Sequence, residues 1–250
     1  MLLKLIACNV FTREVCWCIA RSPHVIDVHF FELGEHIHPD RLRETIQSEI
    51  DRTEGSAKAY DAILLLYGLC GNAGVGLRAR KTSLVMPRAH DCCTILLGSQ
   101  ERFREHFADN PSMPFSSSGY MERGEYYIRT DEDGGEIHYG DQFAALVEQY
   151  GEENARYIWA SMHPKRSGGS ADSVIFIDLP ETAPLGHAER FREKAAGEGK
   201  ECIRLEGSIE LIRKLLDGEW DPESFLVVEP GRQTVGIYDW HEILTTKEAD

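Results

Sequence analysis

Short apolar runs alternate with stretches whose apolar residues recur at helical spacing. Lys4 to Cys8, Val25 to Phe31, Ala62 to Leu66 and Ser83 to Met86 each read as a strand. The Ala62 run is continuous over five apolar residues, as expected of a strand covered on both faces. Between the runs, Thr12-Arg13-Glu14 opens a short helix through Val15 and Trp17. Pro39-Asp40 opens a longer one in which Leu42, Ile46 and Ile50 share a face. Thr94 to Phe107 reads as one further helix, with Ile95, Leu96, Phe103 and Phe107 available to a core. After a polar stretch the alternation resumes. Val174 to Asp178, Glu201 to Leu205 and Phe225 to Glu229 are predicted strands. Ala188 to Ala196 and a Ser208-capped segment carrying Leu211, Leu215 and Leu216 are predicted helices.

Alternating strands and helices imply a doubly wound α/β fold with mostly parallel sheets. The repeated order of elements is compatible with two similar Rossmann-like halves around a cleft. We divide the chain into an N-terminal α/β half over residues 1–109, an insertion over 110–140 and a C-terminal α/β half over 141–250. The insertion is rich in Pro, Ser and Gly, and its Tyr120, Tyr126 and Tyr127 are costly to expose, so it is expected to lie over the cleft as a lid. Phe143 to Trp159 reads as a helix bent near Gly151.

Composition narrows the function. The chain has 250 residues and a formal net charge of -15, which disfavours a nucleic-acid backbone or an anionic membrane surface as partner. No apolar run approaches the roughly 20 residues that span a bilayer, and the first residues are too short a run for a signal peptide. A cytoplasmic protein acting on a small-molecule substrate is the expectation. Seven cysteines is an odd number, and without an export signal a disulfide framework is not expected. Cys16, Cys18 and Cys202 read as small buried hydrophobes.

The remaining chemistry sits just past the C-terminal ends of predicted strands, where open α/β sheets bind ligands. Cys8 follows the first strand and Cys70 the third. Arg88, His90, Asp91, Cys92 and Cys93 follow the fourth. Cys8, Cys70, His90 and Cys92 are a thiolate-and-imidazole set of the kind zinc takes, assembled from separate strand ends; an iron–sulfur cluster is the second metal option. Arg88 and Asp91 would orient the ligands. A metal-free thiol enzyme is a further reading, with His90 as base and Asp91 or Glu14 as its orienter. The loop containing Gly68, Gly71, Asn72 and Gly74 lacks a Walker signature. It would cradle an anion through backbone N–H groups or let backbone pass close to a ligand or another loop. Glu229-Pro230-Gly231, ending the last strand, would point into the same crevice or simply turn the chain.

Tyr67-Gly68-Leu69-Cys70-Gly71 and Pro87-Arg88-Ala89-His90-Asp91-Cys92 resemble the uncharacterised family called domain of unknown function 1638. The resemblance extends to Ile6-Ala7-Cys8 with Glu14, Tyr150 to Ala155 and Phe225 to Gly231. Members of that family are often encoded beside corrinoid-dependent methyltransferases in anaerobes. The resemblance therefore implies a metal-dependent enzyme of one-carbon metabolism, transferring a methyl group with a corrinoid protein to a thiol or pterin. The alternative is a non-catalytic accessory that binds a corrinoid, metal or cluster. The doubled Cys92-Cys93 leaves open which sulfur faces the site.

Overall fold

The structure is a computed structural model that describes residues 1–33, 39–70, 72–108, 113–123, 173–237 and 242–249. Its larger sheet has five strands in the order β2-β1-β3-β4-β8: β1 (Leu2–Cys8), β2 (Val25–Phe31), β3 (Ala62–Leu66), β4 (Leu84–Pro87) and β8 (Phe225–Val228). The first four run parallel, and β8 joins antiparallel to β4. Every residue of β3 and β4 is buried, as is β1 from Leu3 onward. These strands are sandwiched, which explains their near-continuous apolar runs. The register pairs Ala7 with Leu66 and Leu64 with Val85, so β1, β3 and β4 end at nearly the same height.

A second, three-stranded parallel sheet is ordered β5 (Phe115–Ser117), β6 (Ser173–Asp178), β7 (Glu201–Glu206). Its Phe115, Ile175 and Ile177 belong to the same apolar core as Leu3, Leu64 and Val85 of the larger sheet. The helices are α1 (Thr12–Ile19), α2 (Pro39–Glu54), α3 (Cys92–Leu97), α4 (Gln100–Phe107), α5 (Ser118–Glu122), α6 (His187–Gly197) and α7 (Glu210–Asp217). A hairpin of β9 (Arg232–Gly236) and β10 (Leu244–Glu248) completes the described elements. Among the described residues, no helix is long and apolar enough to cross a membrane.

The α/β architecture and its mostly parallel sheets are as the sequence predicts, but several details differ. The segment from Thr94 to Phe107 is two helices. Gly98 takes the left-handed conformation at φ 85° to end α3, and Ser99 caps α4 by accepting from the Arg102 N–H. The division at residues 109 and 141 does not follow the sheets, because β8 returns to the first sheet after β7. Part of the expected insertion is β5 and α5, integral to the second sheet. Residues 124–140, the helix predicted over Phe143 to Trp159 and the loop holding His36 and His38 lie outside the described residues. Because β8 is antiparallel, Glu229 emerges at the opposite edge from the cysteines. There it accepts from the Ser83 hydroxyl at 3.0 Å.

Candidate functional site

Two loops at the C-terminal edge of the large sheet are zipped together. The Leu69 N–H donates to the Ala89 carbonyl at 2.8 Å, and the Cys70 N–H to the His90 carbonyl at 3.0 Å. This approach requires glycine at 68: a Cβ there would lie 2.7 Å from the Ala89 oxygen and 2.8 Å from the Asp91 nitrogen. A Cβ at Gly74 would likewise lie 2.8 Å from the Gly68 carbonyl oxygen. Gly68 and Gly74 therefore serve loop packing, one of the two uses the sequence suggests. Asn72 gives its carbonyl to the Val75 N–H at 3.0 Å, and Gly71 lies outside the described residues. Cys70 and Asn72 hold left-handed backbone at φ 46° and 73° without being glycine. Such strain costs on the order of 1–3 kcal/mol and gathers at functional sites.

Asp91 fixes the next element. Its carboxylate accepts from the N–H groups of Cys93 at 3.0 Å and Thr94 at 3.2 Å, capping α3 and making Cys92 its first residue. The role is positional, and it is carried by a residue the sequence marks for orientation. From the other sheet, α5 brings Tyr120. The approach is so close that a Cβ on Gly119 would lie 1.8 Å from the Val10 carbonyl oxygen. The Tyr120 ring meets Phe115 edge to face, with centroids 5.6 Å apart.

These elements converge on the Cys92 sulfur. The Cys70 thiol and the Tyr120 hydroxyl both donate to it, and together they outweigh burial to lower the Cys92 pKa from its ordinary value. Each donor is pushed the other way. Cys70 is raised by its bond to Cys92 and then by burial, and Tyr120 by burial and then by the charge of Cys92. Cys8, buried at the end of β1, is raised by burial and then by Cys92. Cys8, Cys70 and Cys92 thus gather at one sheet edge, as their places after the strands predict. Cys92, not Cys93, is the member that takes the charge; burial followed by the Cys92 charge pushes Cys93 well up. Cys8 and Cys92 are buried, whereas Cys70 is half-buried and packs against the core. Charge-assisted hydrogen bonds of this kind are about twice as strong as neutral ones.

Other residues singled out in the sequence go elsewhere. The His90 ring packs on Phe103 with centroids 5.7 Å apart. Arg88 donates to the carbonyls of Pro222 at 2.9 Å and Glu242 at 2.7 Å, and also to that of Leu244. It ties the end of β4 to the C-terminal segment and is structural. Cys16 is exposed rather than buried. Among the described residues, no three His, Cys, Asp or Glu side chains are placed to hold a metal ion. The set Cys8, Cys70, His90 and Cys92 therefore does not close into a metal site; two of its sulfurs are instead bonded to each other through a proton.

Glu14 lies apart from the thiols. It is 1% exposed on α1, and among the described residues neither carboxylate oxygen has a hydrogen-bond partner. Burial, joined by the charges of Glu122 and Glu181, pushes it up to about 7. Sequence reasoning placed Tyr120 in an insertion expected over the cleft but did not name it as a partner of the thiols. The signal for it was slight: an aromatic residue just past a three-residue strand, Phe-Ser-Ser. Ser116, Ser117 and Ser118 at that strand end bury their hydroxyls without partners among the described residues.

The family model described as "Protein of unknown function (DUF1638)" matches residues 30–216, most of the chain. The chain belongs to the DUF1638 family. Within the match lie Cys70, Cys92 and Tyr120 of the site; Cys8 and Glu14 precede it, and Phe225 to Gly231 follow it. No curated protein and no solved structure matches the chain.

Proposed function

We propose that this member of the DUF1638 family is a thiol-dependent enzyme whose nucleophile is the Cys92 thiolate. The observation that carries the reading is the pair of donors, Cys70 and Tyr120, aimed at one buried sulfur. Burial alone raises a thiol's pKa, as it does at Cys93, so a buried cysteine supplied with two donors is arranged to ionise. A thiolate sheltered from water attacks a carbonyl carbon or a sulfur in a small-molecule substrate, reached from the half-buried Cys70 side. A cytoplasmic setting suits this chemistry, because none of the seven cysteines is in a disulfide. Iodoacetamide labelling near pH 7, followed by peptide mass spectrometry, tests it. Cys92 is expected to be labelled well before Cys93, its equally buried neighbour. Equal or reversed labelling would remove Cys92 as the nucleophile.

A second reading rests on Cys8, which the thiol mechanism leaves unused. Three sulfurs from three strand ends suit a soft metal, zinc or an iron–sulfur cluster, and hence methyl transfer with a corrinoid protein or an accessory role in handling a corrinoid or cluster. That reading requires the side chains to rearrange from the arrangement described above. Elemental analysis of anaerobically purified protein separates the two: stoichiometric zinc or iron lost in Cys70→Ala supports the metal, and its absence leaves the thiolate.

A further inference from the structure

We propose that two copies of this chain join through the outer edge of β2, antiparallel, to make one continuous sheet of both five-stranded sheets. β2 is the outermost strand of the large sheet, and among the described residues no strand pairs with its far side. The Val25 N–H donates inward, to the Met1 carbonyl at 3.1 Å. In a parallel ladder, alternate residues turn both backbone groups to the same neighbour, so Ile26, Val28 and Phe30 turn theirs to the free edge. Such an edge is a template for another strand, and proteins that leave one unpaired blunt it by short length, charge or Pro. β2 is seven residues long and holds no Lys, Pro or Gly. The other described edge strands are blunted. β5 and β8 have three and four residues, and β7 carries Glu201, Arg204 and Glu206.

A second copy is the occupant because β2 complements itself. Pairing Val28 with Val28 of the second copy, on a two-fold axis, overlaps all seven residues and hydrogen-bonds the outward-facing ones. Val25 then lies opposite Phe31, and Ile26 opposite Phe30. Asp27 lies opposite His29 at the closer, non-hydrogen-bonded positions, an acid against a base. The neighbouring registers that keep the backbone bonds set Asp27 or His29 against itself. Lys58 and Tyr60 keep Asp27 charged. The Asp27 and His29 side chains are still 38% and 36% exposed, so each keeps surface for a partner. Val28, at the axis, is 37% exposed. The antiparallel join puts the two thiol clusters at opposite edges of the joint sheet, so neither blocks the other.

Sedimentation velocity on the full chain tests the proposal, at about 0.15 M salt to screen the repulsion between two acidic chains. With rising concentration up to about 0.1 mM, a species of twice 28.3 kDa should grow in. A chain that stays at 28.3 kDa throughout would overturn the proposal. Val28→Lys meets its own copy at the axis and should weaken the dimer about tenfold. A dimer that Val28→Lys leaves unchanged would put the interface elsewhere and overturn it too. Copper-catalysed oxidation then reads the register. Val28→Cys should link to itself at position 28, seen as a joined peptide by mass spectrometry. Val25→Cys should not, although Val25 is 63% exposed, because its copy lies six residues along, about 20 Å away. Linking of both variants with equal ease would overturn the pairing. If Val28→Lys does not fold by circular dichroism, the two cysteine variants decide the matter.

Discussion

The surroundings of Cys92 and of Glu14 are both buried, both acidic in chemistry and both beyond the end of β1, yet they ionise in opposite senses. Cys92 is 3% exposed and receives two donors; its pKa falls. Glu14 is 1% exposed and, among the described residues, no other residue donates to it; its pKa rises to about 7. Burial penalises the charged form in both. What differs is whether the fold delivers donors to the atom that would carry the charge. Cys70 and Tyr120 reach Cys92 only because two loops are zipped by backbone hydrogen bonds and a second sheet leans in through Gly119. Among the described residues, nothing comparable is built around the Glu14 carboxylate.

The comparison breaks most completely at Gly119. A Cβ there would sit 1.8 Å from the Val10 oxygen, against backbone that cannot swing away. Gly119→Ala should cost roughly 3 kcal/mol or more and pull Tyr120 back. Denaturant unfolding should show the loss, and Cys92 should lose its lead over Cys93 in iodoacetamide labelling.

Glu14 sharpens the other side. Its carboxyl has an ordinary value of 4.5 and reaches about 7 in the folded chain, so the folded state holds the proton more tightly than the unfolded one. The stability it favours is complete below pH 4.5, falls as pH rises and levels off above about 7. The penalty at high pH amounts to about 3 kcal/mol. Glu14→Gln, which stays neutral, should stabilise the protein by up to about that much at pH 8 and by little at pH 5. Equal effects at the two values would show that the carboxyl is not held neutral.

Much of this was legible beforehand, for definite reasons. Residues 62–66 and 84–87 read as buried strands because a parallel strand covered on both faces needs a continuous apolar run. Once those strands were placed, the convergence of Cys8, Cys70 and Cys92 followed from their positions at strand ends. Tyr120 was legible as an aromatic residue costly to expose beside the cleft, but not as a partner of Cys92. Phe115-Ser116-Ser117 is too short and too polar to announce a strand, so the segment read as part of an insertion. Arg88 misled for a different reason. A charged residue after a strand looks functional, but its partners are carbonyls at residues 222, 242 and 244, far away in sequence. His90 was placed among the metal ligands on its residue type and its place after the fourth strand, and neither says which way a ring turns; here it turns onto Phe103. Glu14 read as an orienting group, since its lack of a partner among the described residues depends on tertiary packing that its place in the sequence does not show.

The central claim is that donors, and not exposure, set the state of Cys92. A pH titration of thiolate ultraviolet absorbance, run on the wild-type chain beside Cys92→Ser and Tyr120→Phe, tests it most directly. The account predicts a wild-type component ionising below the ordinary 9.0, absent from Cys92→Ser. In Tyr120→Phe that component should move upward, since losing a hydrogen bond to a charged group costs about 1.5–3 kcal/mol, about tenfold or more in ionisation. Titrations that coincide for wild type and Cys92→Ser would contradict it.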